Sequence, residues 1–196
     1  ISNTGSLLAE NSDFDGGTTL QVSGLALVRK SRLKSASVDQ GQLFVTGCEI
    51  TLSASEAADG RYPPKFSVGD KGELYMLDNS GDYLWLSNNG STSISGLHLK
   101  GLFMENGAYQ EAKTLNFRNV RADSASIRYT RLKKGDWLDV SIPEAKLSGS
   151  KAEFGDLRLK NVDAPFLKQF YGGNLPEVRS LSWDEIKIPE DSRFAF

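Results

Sequence analysis

Apolar residues recur along this chain on a five-residue beat. Residues 115–129 show it best, because the blocks LNFRN, VRADS and ASIRY each carry apolar residues at their first and third positions. In a β-strand the side chains of residues x and x+2 point to the same side. A chain that turns a corner every five residues would therefore direct both apolar side chains of each block inward. The pattern predicts an all-β protein, a right-handed parallel β-helix or solenoid, and disfavours helix.

The same beat predicts which side chains form the core. Further inward pairs are Leu20/Val22, Leu25/Leu27, Leu43/Val45, Cys48/Ile50, Leu97/Leu99 and Leu102/Met104. We expect six residues to be buried together, namely Leu97, Leu102, Leu115, Val120, Leu157 and Val162. The residues His98 and Arg158 lie between inward positions and should be exposed. A β-sandwich and an open curved β-sheet remain alternatives, since short apolar runs suit those folds as well.

Two segments interrupt the beat within what we predict to be a single domain over residues 1–196. The runs GELYML and DYLWLS flank the turn-forming residues 78–81, which predicts a β-hairpin inserted at about 53–90. The second segment, about 165–196, we interpret as a C-terminal cap. An uncovered solenoid end exposes unpaired backbone groups, so a cap is expected there.

Three blocks, AEFGD, LRLKN and VRADS, resemble those of the pentapeptide-repeat family. The resemblance implies a solenoid in which four blocks make one square coil. This chain has Leu or Val where that family usually has Ala, so a larger three-faced β-helix, similar to pectate-lyase-like folds and surface adhesins, stays open. The resemblance also implies a bacterial protein of the secreted, surface or effector type.

The amino-acid composition argues against several classes of function. The 23 basic and 25 acidic residues give a net charge of −2, which provides no electrostatic drive toward nucleic acid. The single cysteine, Cys48, can form neither an intrachain disulfide nor a cysteine-based zinc site. No apolar run approaches the ~20 residues of a membrane-spanning helix. We find no cofactor or metal motif and no catalytic constellation.

The aromatic residues Tyr75, Tyr83 and Trp85 are the candidate binding residues, because aromatic rings with polar tips are common in recognition surfaces. Packing of the hairpin onto the solenoid would explain them equally well. We therefore expect a non-catalytic recognition or structural module with a protein or glycan partner, secreted or on the cell surface. The alternatives are a carbohydrate-active β-helix enzyme that uses acidic residues, and a lipid-binding curved sheet with an open apolar trough.

Overall fold

The computed structural model describes the backbone of residues 1–51, 64–106, 111–128, 131–148, 153–163 and 180–184. Side chains are described for these residues except 15–18, 127–128, 131, 145–148, 153–157, 159 and 180–184. The strands in these ranges are β1 (Ser2–Asn3), β2 (Ser6–Glu10), β3 (Asp13–Val22), β4 (Leu25–Arg29), β5 (Arg32–Thr46), β6 (Glu49–Ile50), β7 (Lys65–Leu77), β8 (Ser80–Gly81), β9 (Tyr83–Asn88), β10 (Ser91–Glu105), β11 (Ala112–Arg128), β12 (Arg131–Ser141), β13 (Glu144–Ser148), β14 (Glu153–Asp163) and β15 (Ser180–Asp184).

All strand pairs in the described ranges are parallel, and they stack into three ladders that form a β-solenoid. Face A stacks the segments centred on residues 8, 27, 44, 75, 93, 116, 136, 158 and 182. Face B stacks residues 13, 32, 49, 80, 98, 121, 141 and 163. Face C stacks residues 2, 21, 37, 67, 87, 105, 128 and 148. The right-handed winding stays a prediction.

The apolar side chains on the inner sides of the three faces form one closed core. The expected core residues Leu97, Leu102, Leu115, Val120 and Val162 are buried, and the side chain of Leu157 lies outside the described residues. Both His98 and Arg158 are exposed, as the beat predicts. The sandwich and open-sheet alternatives are wrong, because the parallel ladders of the described strands enclose these side chains in a core.

In each turn of the solenoid, one residue with a left-handed backbone conformation forms the corner between face A and face B. The corner residues, with φ between 48° and 65°, are Asn11, Lys30, Gly47, Asp78, Gly96, Asn119, Asp139 and Asn161. Glycine, asparagine and aspartate adopt this conformation more readily than other residues do. This corner explains the five-residue beat. The corner residue interrupts the alternation of inward and outward side chains, so that the first residue of face B points inward again.

Glycine is required at the corner between face C and face A, where successive levels approach closely. A Cβ atom at Gly24 would overlap the carbonyl oxygen of Gly5, and one at Gly41 would overlap that of Gly24. Because an overlap with backbone atoms can be relieved only by moving a strand, these corners exclude larger residues.

The predicted hairpin is wrong. Residues 73–77 and 83–87 do not pair with each other but pair in parallel with successive parts of β10. The chain does change direction at residues 78–81, since Asp78 has a left-handed backbone conformation with a φ of 51°. That residue redirects the chain around one corner of the solenoid, however, instead of reversing it. Residues 53–63 of the predicted insertion lie outside the described residues.

Of the predicted C-terminal cap, the structure describes residues 180–184. These form β15, which pairs in parallel with β14 and continues face A, and the rest of the cap lies outside the described part of the chain. No helix in the described ranges has the length and apolar character needed to cross a bilayer.

For one pair that we predict to point inward, the buried positions are shifted by one residue along the strand. Ala26 and Val28 are buried, whereas Leu25 and Leu27 point outward on face A. A shift of one residue moves every side chain of a strand to the other face. The prediction for Leu25 and Leu27 is therefore wrong, and both residues join the outer surface.

Candidate functional site

The outer surfaces of face A and face B differ sharply in polarity. The outward residues of face B are Asp13, Arg32, Glu49, Ser80, His98, Arg121, Ser141 and Asp163. Arg32 and Glu49 form an ion pair with a distance of 2.9 Å between Nε and Oε2. Face B has the character of an ordinary solvated surface.

The outer surface of face A carries an apolar groove of about 500 Å³. Its lining includes Leu27, Phe44, Tyr75, Leu77, Arg118 and Leu138. Leu77 is 49% exposed, and beyond the groove on the same face Leu8 is 64% and Leu25 46% exposed. Contiguous exposed apolar surface of this kind marks interaction sites in proteins. We therefore take this groove, the face-A groove, as the candidate site.

The groove exists because one level of face A has small side chains. All three outward residues of β10 on this face are serines, Ser91, Ser93 and Ser95. The level before them places Tyr75 in register with Ser93, and the level after them places Asn116 there. The solenoid turn that carries the serines thus lies between two turns with bulkier side chains, and the face-A groove is the gap between those two turns.

Two aromatic rings form one wall of the groove. The rings of Phe44 and Tyr75 are stacked, with centroids 4.7 Å apart and an interplanar angle of 8°. The Tyr75 hydroxyl donates a hydrogen bond of 2.9 Å to Oε2 of Glu73, and Nε2 of Gln42 donates one of 2.8 Å to the same oxygen. These hydrogen bonds, from Gln42 first and Tyr75 second, lower the pKa of Glu73, and the carboxylate in turn raises the pKa of Tyr75. Stacking on Phe44 and the hydrogen bond to Glu73 thus hold the side chain of Tyr75 in place.

The far end of the groove is mostly polar, with Leu138 as its aliphatic residue. Nδ2 of Asn116 donates a hydrogen bond of 3.3 Å to Oγ of Ser93, and the backbone N–H of Asp136 donates one of 3.2 Å to Oδ1 of Asn116. Arg118 is exposed there, and it forms no ion pair with the residues that the structure describes. No three His, Cys, Asp or Glu side chains within the described ranges are grouped so that they could hold a metal ion.

The structure separates the three predicted binding residues. Tyr75 lies in the face-A groove, whereas Tyr83 and Trp85 point outward on face C. Phe103, in register with Trp85, is 37% exposed and Tyr83 is 43% exposed. The ring of Tyr83 lies over Gly101, since a Cβ atom there would be 2.8 Å from Cδ1 of the tyrosine. Nζ of Lys65 lies 4.5 Å from the centroid of the Trp85 ring. We call Tyr83, Trp85 and Phe103 the face-C aromatic patch.

No protein-family model, curated protein or solved structure matches this chain. The pairing of the strands establishes the parallel β-solenoid, and the relationship to pentapeptide repeats stays a prediction.

The aliphatic part of the groove, Leu27, Leu77 and Leu138, is not among the residues that the sequence pattern predicts for binding. A signal for two of these residues was present in the runs LALV at 25–28 and LYML at 74–77, which are apolar at every position. A strand with one solvated face alternates between apolar and polar residues. A continuous apolar run indicates instead that the outer side is apolar as well.

Proposed function

We propose that this protein is a non-catalytic recognition module that binds an apolar segment of a partner protein in the face-A groove. The observation that carries the proposal is the groove on the outer side of face A, where exposed aliphatic side chains lie next to a stacked aromatic pair, beside a face B that is polar throughout its described length. Aromatic residues and arginine are enriched in the cores of protein interfaces.

The character of the groove favours a protein over a sugar as the ligand. Sugars bind on aromatic rings amid many hydrogen-bonding groups, but the exposed lining of the face-A groove is predominantly apolar. The aliphatic residues Leu27, Leu77 and Leu138 line the rest of the groove. Such side chains give van der Waals contact and apolar burial to the side chains of a peptide.

Selection from a library of displayed random peptides tests the proposal. Enriched peptides are measured against the wild-type chain and two variants, Leu77→Lys in the groove and the matched control Ser80→Lys on face B. We expect Leu77→Lys to weaken binding by about tenfold or more and Ser80→Lys to leave it unchanged. The proposal fails if the library yields no binder, or if the binders respond equally to both variants.

Glycan binding on the face-C aromatic patch is a second candidate. It is favoured by Tyr83, which is 43% exposed and has its ring over Gly101, beside the ion pair of Asp82 and Lys100, whose Oδ2 and Nζ atoms are 3.0 Å apart. An exposed ring with charged hydrogen-bonding groups nearby suits a sugar. A glycan array probed with the wild-type chain and with Tyr83→Ala tests it: a signal that Tyr83→Ala removes supports this candidate, and a blank array or an unchanged signal contradicts it.

The bacterial origin, the secreted or surface location and the pentapeptide-repeat relationship belong to this proposal as well. They are supported by the resemblance of the blocks at 120–124 and 152–161 and by the solenoid architecture, which is fold-level analogy.

A further inference from the structure

One face of the Tyr75 ring has no aromatic neighbour in its ladder. Phe44 covers the other face at 4.7 Å, close to the ~4.8 Å that separates neighbouring strands in a sheet. The next residue in register is Ser93, whose side chain is too small to cover a ring. A third ring placed one strand spacing further along would lie over Ser93, inside the groove.

We propose that the partner inserts an aromatic side chain over Ser93, against the open face of Tyr75, and places a carboxylate on Arg118. This inference rests on the proposed function and specifies the chemistry of the partner segment. The inserted ring would extend the stack that Phe44 and Tyr75 begin, and parallel aromatic pairs are favourable beyond the area that they bury.

Charge complementarity supports the second half of the proposal. Arg118 lines the groove and is exposed, and its guanidinium group has no ion-pair partner among the described residues. An arginine at the edge of an apolar groove is well suited to bind a carboxylate with two parallel hydrogen bonds. Of the two acidic residues near the groove, Glu73 lies on the Tyr75 side and is engaged by Gln42 and Tyr75, and Asp136 lies on the Arg118 side, in register with Asn116.

The spacing of the two contacts defines the partner segment. Arg118 is two residues along its strand from Asn116, which is in register with Ser93. The Cα atoms of Ser93 and Arg118 are thus about 8 Å apart, one strand spacing across and two residues along. In an extended peptide, residues i and i+2 point to the same side about 7 Å apart. The partner segment should therefore carry an aromatic and an acidic residue separated by one residue.

Capped pentapeptides serve as probes, titrated into the isotopically labelled full chain and followed by NMR chemical shifts. The first is acetyl-Gly-Phe-Ser-Glu-Gly-amide, and its two matched controls replace Phe by Leu or Glu by Gln. We expect the Leu peptide to bind about tenfold more weakly and the Gln peptide about threefold more weakly. The shifts should map to Tyr75, Ser93 and Arg118.

Two variants test the same contacts from the side of the protein. Ser93→Tyr supplies the missing ring from within the chain, so it should abolish binding of the Phe peptide. Ser67→Tyr makes the same change in a serine ladder on face C and should leave binding intact. If Ser93→Tyr does not fold, Tyr75→Leu replaces it: this variant keeps the wall apolar but removes the ring, and should abolish the preference for Phe over Leu.

The outcomes separate this inference from the proposed function. If the Phe and Leu peptides bind the groove equally, or if binding survives in Ser93→Tyr, the aromatic insertion is wrong and peptide recognition by the groove stands. If methyl β-glucoside shifts the groove resonances and the peptides do not, both are wrong.

Discussion

The rings of Phe44 and Tyr75 stack within 8° of parallel because the two residues are directly in register on neighbouring strands. In a parallel ladder each outward side chain lies over the residue of the next turn. A solenoid thus repeats one surface chemistry along its axis wherever successive turns carry similar residues, and it makes a notch wherever a turn carries small ones. The face-A groove is such a notch, at the serines of β10.

The first prediction concerns the carboxylate that holds Tyr75. Hydrogen bonds from Gln42 and Tyr75 lower the pKa of Glu73 from its ordinary value of 4.5. The folded state therefore takes up this proton less readily than the unfolded state. The resulting stability is present above pH 4.5 and is lost as the pH falls through the pKa of the folded state.

Carbon NMR of the Glu73 carboxyl group and thermal unfolding over a pH series check this. We expect a titration midpoint below 4.5, and a destabilisation by Glu73→Gln that is present at neutral pH and fades in acid. Gln42→Ala should raise the midpoint, whereas Gln40→Ala, at an exposed neighbouring position, should not. A midpoint at or above the ordinary value would contradict the hydrogen-bonding arrangement.

The second prediction uses the neighbours Leu97 and His98, which face opposite ways on face B. Leu97 is 1% exposed in the core, and His98 is exposed between Ser80 and Arg121. Leu97→Asp should lower the free energy of unfolding by about 3 kcal/mol or more, because it buries an unpaired charge and removes apolar contacts. His98→Asp should change it by less than about 0.5 kcal/mol. Denaturant unfolding measures both, and equal effects would disprove the assignment of inward and outward positions.

The third prediction contrasts two corner glycines. Gly24 packs against the backbone of Gly5, whereas Gly47 has a φ of +58° and open space where a side chain would lie. Gly24→Ala should destabilise the solenoid by about 3 kcal/mol, because a strand must move to relieve the overlap. Gly47→Asn should cost less than about 1 kcal/mol, since asparagine tolerates the left-handed conformation and occupies the same corner at Asn119. Denaturant unfolding ranks the two, and the reverse order would show that the corners are misassigned.

Much of the core could be predicted from the sequence because the period of a strand is a local property. The two-residue spacing within the pairs Leu115/Phe117 and Val120/Ala122 is enough to indicate that their side chains point inward. Where a strand is apolar on both sides, as at residues 25–28, that signal disappears, and the predicted register is displaced by one residue. The hairpin was predicted wrongly for a related reason: the residues that form a tight turn also form a solenoid corner, and only the pairing partner distinguishes the two.

The candidate site was less predictable. The residue type of Tyr75 marks it as a candidate, but proximity in the chain groups it with Tyr83 and Trp85. The structure places those two on face C and brings Tyr75 beside Phe44, Ser93 and Arg118 on face A.

By itself, then, the sequence determined the strand type, the inward positions of most blocks and the need for turns between them, because side-chain alternation and turn conformations depend on neighbouring residues. Only the tertiary structure decided which residues of successive turns lie side by side. That register depends on the length of every intervening loop and on the fit of the whole core, and it is the register that aligns Leu27, Phe44 and Tyr75 into one wall and leaves Ser93 as the gap beside them.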